Sequence, residues 1–402
     1  MAYINLINSY LSYNESTLCL NNHSLDEYTK NFATPFYLYD LSIFEKNYQS
    51  FIAAAQQVGI KEFLTCYAIK SNDHSNFLSS VKNLGSGADV VSIGELRKCL
   101  KSKIAPENIV FSGVGKTDDE INAALVETNG KLKCINVESL DELASIISIS
   151  ELSKKEINIC LRLNPASPGD THEHISTGGT DHKFGLLEFE INQALKISKK
   201  SKFVNCIGLS MHIGSQLTSL EETKGALKTM NEYFQSYPYL KIMNIGGGLG
   251  IHYDPTSNSL CSLEDYMEMV SSFINTNKLQ SKEIIFEPGR FLSGNTGVLI
   301  TKVIRQKRFF RIVDAGMNDM LRPALYDAHH EIYPLKKPAS PNNKEELTIA
   351  GPICETGDFF INKKSCYPVI KGDFLAISNV GAYGKVLSST YNSRSLIKEY
   401  FI

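Results

Sequence analysis

Between residues 40 and 290 the sequence alternates short apolar runs with longer amphipathic segments, and this alternation constrains the fold more than any other feature. The apolar runs predict eight buried strands, at residues 63–69, 88–92, 108–113, 133–138, 157–164, 207–214, 241–248 and 283–289. The segments between them follow helical periodicity, as in residues 92–102, where Ile93, Leu96 and Leu100 share one face. Eight strands with interleaved helices over about 250 residues match a (β/α)8 barrel. A doubly wound sheet is the alternative architecture.

After Gly289 the alternation of apolar runs and amphipathic segments gives way to strand-like segments. Strand-like pieces occupy residues 297–306, 308–316 and 373–383, and the Pro- and Asn-rich residues 336–346 are typical of an exposed loop. We therefore predict two domains. A barrel covers residues 40–290, and a β domain, built as a β-barrel or β-sandwich, combines residues 1–39 with 291–402.

The composition favours a protein that binds a small polar molecule. Lys plus Arg (41) nearly balance Asp plus Glu (43), and no basic block stands out, which argues against nucleic-acid binding. The first twenty residues lack the pattern of a secretory signal, and no run approaches the roughly 18 apolar residues of a membrane span. We expect a cytoplasmic protein without membrane association. The nine cysteines form no CxxC pair, which predicts reduced thiols rather than disulfides or a zinc site.

Polar residues and glycines collect where the predicted strands end. These positions are Lys70, Asp89, Arg162 with Asn164, His212, the triple glycine Gly246–Gly248, and Glu287–Arg290. In a barrel the carboxyl ends of the strands meet at one mouth, where the chemistry of such proteins takes place. We therefore expect these groups to converge on one site.

Lys70 is the member of this set that is hardest to explain structurally, because lysine is seldom fully buried and no acid flanks it in sequence. An amine in a partly dry pocket loses its proton more readily and can form a Schiff base. The triple glycine is either a tight turn or a phosphate cradle, and the motif considered alone favours the tight turn. His212 alone is as often structural as catalytic, and Glu287 beside Arg290 could be a plain ion pair. Together, a lysine, a phosphate cradle and a carboxylate indicate pyridoxal phosphate.

Nucleotide motifs are excluded by single positions. GGGLGI (246–251) has Ile251 where the dinucleotide fingerprint requires its last glycine, and GVGKT (113–117) is preceded by Val110 where a Walker loop requires its first. A nucleotide site is therefore not expected.

An ordered series of motifs extends along nearly the whole chain: TPFYLYD (34–40), YAIKSN (67–72), GSGADVVSIGEL (85–96), HIGSQ (212–216), NIGGGLG (244–250), EPGR (287–290), DAGMNDMLRPALYDAHH (314–330), GPICETGD (351–358) and GAYG (381–384). This series resembles the fold-type III pyridoxal-phosphate-dependent decarboxylases. The resemblance implies an alanine-racemase-like, TIM-like barrel with a C-terminal β domain, and pyridoxal 5'-phosphate as the cofactor.

The resemblance also implies roles for matched residues. Lys70 resembles the Schiff-base lysine, and His212 the imidazole stacked on the cofactor ring. Ser215, Gly248 and the backbone of 287–290 resemble the phosphate site, with Glu287 on the pyridine nitrogen. Further cofactor contacts are expected from Asp89, Arg162, Gly247, Gly289, Arg290 and Tyr383.

Cys354 resembles the thiol that protonates the carbanion once carbon dioxide has left. In the family this thiol and the following acid, here Glu355, come from the partner subunit. The resemblance therefore implies a homodimer with shared active sites.

The substrate is expected to carry both charges at its far end, as meso-2,6-diaminopimelate does. Arg290, Arg322 and Tyr326 are predicted to hold its distal carboxylate, Glu355 its distal ammonium, and Tyr383 to lie near cofactor and substrate. The expected reaction is decarboxylation to L-lysine. The alternatives are decarboxylation of ornithine, arginine or carboxynorspermidine, and a homologue without catalytic activity.

Two histidine-containing segments stay outside this scheme. Residues 171–185 hold three histidines, and we favour a loop over the barrel mouth rather than a metal site. No metal is predicted. His329 and His330 are interpreted as structural or surface residues.

Overall fold

The computed structural model describes residues 10–165, 183–254, 260–339 and 343–402. The chain forms two compact units, one made of Tyr48–Gly250 with Ser259–Phe291, the other of Met1–Asn47, Ile251–Asn258 and Leu292–Ile402. We call them the barrel unit and the β unit.

The division differs from the predicted one at Phe291, which belongs to the barrel unit, and at two short segments, residues 40–47 and 251–258, which belong to the β unit. Backbone and side-chain hydrogen bonds explain the two segments. The backbone N–H of Asp40 donates to the carbonyl of Thr296 at 2.8 Å, and Asn379 Nδ2 donates to the carbonyl of His252 at 3.0 Å.

The described chain begins with elements of the β unit, the last of which, a helix, continues into the barrel unit. The strands are β1 (Leu11–Asn14), β2 (Thr17–Leu20), β3 (His23–Ser24) and β4 (Phe36–Tyr39), and the helices are α1 (Leu25–Asn31) and α2 (Leu41–Gln57). Strands β1, β2 and β3 pair in an antiparallel sheet.

Eight parallel strands then close into a barrel. They are β5 (Phe63–Ala68), β6 (Gly87–Val90), β7 (Ile109–Phe111), β8 (Cys134–Val137), β9 (Ile157–Arg162), β10 (Val204–Ser210), β11 (Ile242–Asn244) and β12 (Glu283–Phe286). Each strand pairs with the next along the chain, and β12 closes the ring on β5. Every strand overlaps its predicted run, so the barrel prediction is confirmed.

Helices follow the barrel strands as the periodicity predicts. They are α3 (Ser75–Asn83), α4 (Ile93–Lys101), α5 (Asp118–Glu127), α6 (Leu140–Ser153), α7 (Glu188–Ser198), α8 (Glu221–Ser236) and α9 (Leu263–Thr276). Their starts are defined chemically: α5 begins with a capping box between Thr117 and Glu120, and Ser92 caps α4. No helix within the described ranges has the length and apolarity needed to cross a bilayer.

A cluster of small and branched side chains fills the barrel interior. It comprises Cys66, Val110, Cys134, Cys160, Ile242 and Ile285, all buried. All nine cysteines of the chain are free thiols. The mouth of the barrel therefore lies above a packed floor, not above a channel.

The rest of the chain, after the short helix α10 (Arg290–Ser293), completes the β unit. Its elements are β13 (Gly297–Lys307), β14 (Phe310–Val313), α11 (Arg322–Tyr326), β15 (Ile332–Pro334), β16 (Glu345–Ala350), β17 (Phe359–Cys366), β18 (Phe374–Ile377) and β19 (Lys398–Phe401). The long strand β13 is central, pairing with β4, β14 and β18 in a mixed sheet. Its Val298 and Ile300 are fully buried against Leu38, at roughly 1.5–3 kcal/mol per buried side chain. The predicted C-terminal β domain is thereby confirmed.

Candidate active site

Lys70 lies immediately after β5, in a single 3-10 turn over Ile69–Ser71. Its Nζ is 2.9 Å from Oδ2 of Asp89 on the neighbouring strand β6. The lysine side chain is 35% exposed, whereas that of Asp89 is fully buried. The acid that no sequence neighbour offers to Lys70 is thus supplied by the adjacent strand.

Lys70 and Asp89 line a pocket of about 430 Å³ at the carboxyl ends of the barrel strands. Three other predicted residues, Arg162, His212 and Glu287, line the same pocket. The volume lies within the roughly 300–1,000 Å³ typical of small-molecule sites. The barrel therefore brings together groups from five strands, as their positions at the strand ends predict.

His212 presents a neutral imidazole to this pocket. The backbone N–H of Gly247 donates to His212 Nδ1 at 3.2 Å, so Nδ1 acts as the acceptor and the ring proton belongs on Nε2. Desolvation lowers the pKa of His212 well below its usual range, and the positive charges of Lys70 and Arg162 lower it further. At neutral pH this ring is a flat, uncharged surface.

Glu287 is the buried acid of the pocket. Burial raises the pKa of Glu287 to about 8, and the nearby charge of Asp89 adds to the rise, while Asn244, Lys70 and Arg162 oppose it. Asn244 Nδ2 donates to Glu287 Oε1 at 2.5 Å. The carboxyl group is therefore largely protonated at pH 7 and can exchange a proton with a basic ligand atom.

Asn244 was not singled out from the sequence, although it lies at the end of β11. Its Oδ1 accepts the backbone N–H of Gly246 at 2.9 Å, so one amide side chain joins Glu287 to the triple glycine. The sequence signal that could have identified Asn244 is its position at a strand end, where the other polar residues of the pocket also lie.

The triple glycine, interpreted as either a tight turn or a phosphate cradle, follows β11 as an irregular segment with positive φ at Gly246 and Gly248. Gly248 has φ of +126°, a conformation that side-chain-bearing residues rarely adopt, and a Cβ on Gly247 would clash with the carbonyl oxygen of Glu287. Close approach of these backbone segments therefore requires glycine whether or not the glycine segment binds an anion.

Ser215 and Arg290, both predicted near the cofactor, are in direct contact. Nε and Nη2 of Arg290 lie 3.2 and 3.0 Å from Ser215 Oγ and donate to it. Arg290 is only 7% exposed. Gly289 packs its backbone closely against Ala68, next to Lys70. This arrangement places a buried cation and a hydroxyl next to the backbone of residues 287–289.

Arg162 is fixed by an acid that the sequence did not indicate. Its Nη1 is 2.7 Å from Oε1 of Glu138, and both side chains are almost completely buried. The other oxygen of Glu138 accepts the backbone N–H of Gly185 at 2.9 Å. The guanidinium lies 4.8 Å from the centre of the Phe184 ring. Arg162 is therefore held rigidly at the pocket wall.

The side chain of Lys116, in the GVGKT segment, is completely buried behind this wall. Its Nζ is 2.8 Å from Oε1 of Glu142, and it donates to the carbonyls of Asn136 (3.0 Å) and Gly113. Glu142 in turn accepts the backbone N–H of Glu138 at 2.8 Å. Since Gly113 and Asn136 line the pocket, Lys116 ties two of its wall segments together.

The remaining predicted residues belong to the β unit: Arg322, Tyr326, Cys354, Glu355 and Tyr383. Arg322 is buried, with Nη1 2.8 Å from Nε2 of His330, and Tyr326 is half-buried at the end of α11. Tyr383 has a left-handed backbone with φ of +57°. Cys354 and Glu355 are exposed, and Glu355 accepts a hydrogen bond from the hydroxyl of Tyr391.

The loop that carries Cys354 is organised by Asp358. Its carboxylate accepts the backbone N–H of Ile353 at 2.6 Å and that of Met317 at 2.7 Å. The backbone N–H of Cys354 also donates to Asn392 Oδ1 at 3.2 Å. The loop is therefore fixed although its tip is exposed.

Within the described residues no cluster of His, Cys, Asp and Glu could bind a metal ion. The three histidines of the 171–185 segment, His172, His174 and His182, lie outside the described residues.

Comparison with known proteins identifies relatives over nearly the full chain. The family described as pyridoxal-dependent decarboxylase, pyridoxal binding domain, matches residues 45–294. Diaminopimelate decarboxylase of Zymomonas mobilis subsp. mobilis is 36% identical to this chain, over 97% of the chain and 93% of that protein.

Solved structures agree with this family. Helicobacter pylori diaminopimelate decarboxylase complexed with L-lysine is 36% identical, with a TM-score of 0.86 over 94% of this chain and 93% of that one. Diaminopimelate decarboxylase from M. jannaschii, also with L-lysine, is 32% identical, with a TM-score of 0.90 over 98% and 93%.

Proposed function

This chain belongs to the diaminopimelate decarboxylases within the pyridoxal-dependent decarboxylase family, and on that basis we propose that it converts meso-2,6-diaminopimelate into L-lysine and carbon dioxide. The observation that carries the proposal is the pocket at the barrel mouth, which Lys70, His212 and Glu287 line together. These are the amine, flat ring and buried acid that pyridoxal chemistry requires.

The pocket suits pyridoxal 5'-phosphate, the cofactor of this family, by its donor set. Within the described residues, Asp89 Oδ1 and Ser210 Oγ are buried without a hydrogen-bond partner, and both residues line the pocket. Buried polar atoms are normally paired, so these two point to a polar ligand. When bound, the cofactor withdraws electrons from the α-carbon of an amino acid, which allows the carboxylate to leave as carbon dioxide.

We assign the cofactor contacts as follows. Lys70 would bind the aldehyde carbon, with Asp89 beside its amine. The neutral ring of His212 would lie against the face of the cofactor ring, and Glu287 would hold a proton at its nitrogen. Ser215, Arg290 and the backbone of Gly248 and 287–290 would bind the phosphate. Further contacts are assigned to Arg162, Gly247, Gly289 and Tyr383.

We propose a homodimer in which Cys354 and Glu355 of each chain complete the site of the other. Cys354 is the exposed cysteine of this chain, while the other eight are buried or half-buried, although free cysteine is among the most buried residue types. An exposed thiol on a fixed loop suits a group that delivers its proton to the carbon vacated by the carboxylate.

We assign recognition of the far end of the substrate to residues of both charges. Arg290, Arg322 and Tyr326 would hold the distal carboxylate, with Glu355 at the distal ammonium and Tyr383 nearby. A guanidinium can hold a carboxylate through two parallel hydrogen bonds, which favours this substrate over one with a lone ammonium.

The expected cytoplasmic location stays a prediction, to be checked by cell fractionation.

The test is carbon dioxide release by the purified protein with pyridoxal phosphate, measured on four substrates in parallel. We expect the kcat/KM for meso-diaminopimelate to be at least about a hundredfold above the values for ornithine, arginine and carboxynorspermidine. This factor corresponds to the binding free energy of a desolvated carboxylate–arginine contact. A preference for ornithine would overturn the substrate assignment while leaving the decarboxylase assignment intact.

A further inference from the structure

His330 is buried in the β unit and is bonded through both ring nitrogens. Its Nδ1 is 2.8 Å from the carbonyl oxygen of Ser378. A carbonyl only accepts, so Nδ1 carries the ring proton in this contact. Nε2 then has a lone pair, and it accepts from Nη1 of Arg322 at 2.8 Å. The backbone of Ser378 thus determines the tautomer that can receive Arg322.

An aromatic ring contacts both partners. The guanidinium carbon of Arg322 lies 4.6 Å from the centre of the Tyr253 ring, and the His330 ring meets Tyr253 edge to face at 4.9 Å between centres. The segment carrying Tyr253 is itself anchored, because Asn379 donates to the carbonyl of His252. The stacking contact sets the position of the guanidinium, and the imidazole sets its rotation.

The structure separates two neighbouring histidines that the sequence did not distinguish. His329 is half-exposed, with Nε2 2.7 Å from Glu331 Oε1, whereas His330 is 1% exposed and bonded to Arg322. Only the second of the pair is placed to influence a substrate contact. His329 therefore serves as a matched control for His330.

We propose that His330 is a positioning residue that orients Arg322 for the distal carboxylate of the substrate, an inference that rests on the proposed function. A neutral imidazole takes one guanidinium hydrogen without neutralising the charge, so the attraction for a carboxylate is retained. It also restricts a long side chain before the substrate arrives, which removes part of the ordering cost of binding. His330 thus determines specificity without touching the reacting atoms.

The experiment compares two inhibitors that differ in one group. L-lysine carries the carboxylate that Arg322 would hold, and 1,5-diaminopentane is the same molecule without it. For His330→Leu we expect inhibition by L-lysine to weaken about tenfold and the KM of meso-diaminopimelate to rise about tenfold, with kcat within about threefold. Inhibition by 1,5-diaminopentane should not change. His330→Gln keeps an acceptor and a donor, so its inhibition constants and KM should stay within about threefold of the wild-type values. His329→Leu should give the wild-type values.

Each result decides the proposal. If His330→Leu weakens inhibition by both compounds equally, or by neither compound, the role of His330 is overturned. Turnover of meso-diaminopimelate by the wild type upholds the proposed function in either case. A wild type that does not act on this substrate overturns both. If His330→Leu does not accumulate as folded protein, His330→Phe, which keeps a ring against Tyr253 but has no acceptor, is measured in its place with the same expectations.

Discussion

Asn244 donates a hydrogen bond from Nδ2 to Oε1 of Glu287, with 2.5 Å between the two atoms, and both side chains are buried at the barrel mouth. The same amide accepts the backbone N–H of Gly246. The orientation of the pocket acid is therefore coupled to the conformation of the glycine segment beside it. This link joins the proposed nitrogen and phosphate ends of the cofactor site.

Replacing Asn244 by Leu should weaken cofactor binding by about tenfold, because Glu287 loses a donor and the backbone N–H of Gly246 loses its acceptor. The dissociation constant of pyridoxal phosphate, titrated by absorbance on the cofactor-free protein, measures this. Asn275→Leu is the control, since Asn275 bonds to Ser271 within helix α9, away from the pocket. Equal affinities in Asn244→Leu and wild type would refute the link.

Glu287 should make the cofactor-free protein less stable as pH rises from about 5 to about 8. Its pKa is raised in the folded state to about 8, so the folded chain holds a proton over this range that the unfolded chain has lost. Glu287→Gln removes this dependence. Glu287→Gln should exceed the wild type in unfolding free energy by more at pH 8 than at pH 5, and the two differences should themselves differ by on the order of 3 kcal/mol.

Urea unfolding of both cofactor-free proteins at the two pH values gives this difference. A gain that is the same at pH 5 and pH 8 would show that Glu287 is ionised in the folded protein throughout.

Lys116→Met should destabilise the protein by about 3–5 kcal/mol, since it leaves the buried carboxylate of Glu142 without its countercharge. The double variant Lys116→Met with Glu142→Leu should regain most of the loss, because neither charge then remains. Lys131→Met is the control: Lys131 forms a 4.0 Å surface pair with Glu107, both well exposed, and should lose less than about 1 kcal/mol. A double variant no more stable than Lys116→Met would argue against the pair.

Shared active sites predict that two inactive variants restore each other. Lys70→Ala and Cys354→Ala, mixed under conditions that allow subunit exchange, should form mixed dimers containing one intact site. Random assortment then gives about one quarter of wild-type activity. Activity that stays at the sum of the separate variants would place Cys354 in the same chain's site or outside catalysis.

The barrel and much of its site could be predicted because strand position determines geometry. Lys70, Asp89 and Arg162 are far apart in sequence, yet each ends or lies in a barrel strand, and such ends converge. Alternating apolar runs were enough to locate those strands.

Other residues carried no such signal. Lys116 meets Glu142 across a loop and a helix start, and His330 meets Arg322 within a segment that has no periodicity. Their polar partners are defined only by three-dimensional packing, so the sequence left Lys116 unassigned and treated His330 like His329. Burial of these charges and imidazoles distinguishes them, and burial in loops is not encoded by a repeating pattern.

The most direct test of the central claim is the site of covalent attachment of the cofactor. The protein loaded with pyridoxal phosphate is reduced with borohydride, digested and mapped by mass spectrometry. We predict a pyridoxyl group on Lys70 alone, and none in Lys70→Ala. A label on another lysine, such as the buried Lys116, or no label in the wild type, would contradict the assignment of Lys70 as the cofactor-binding amine.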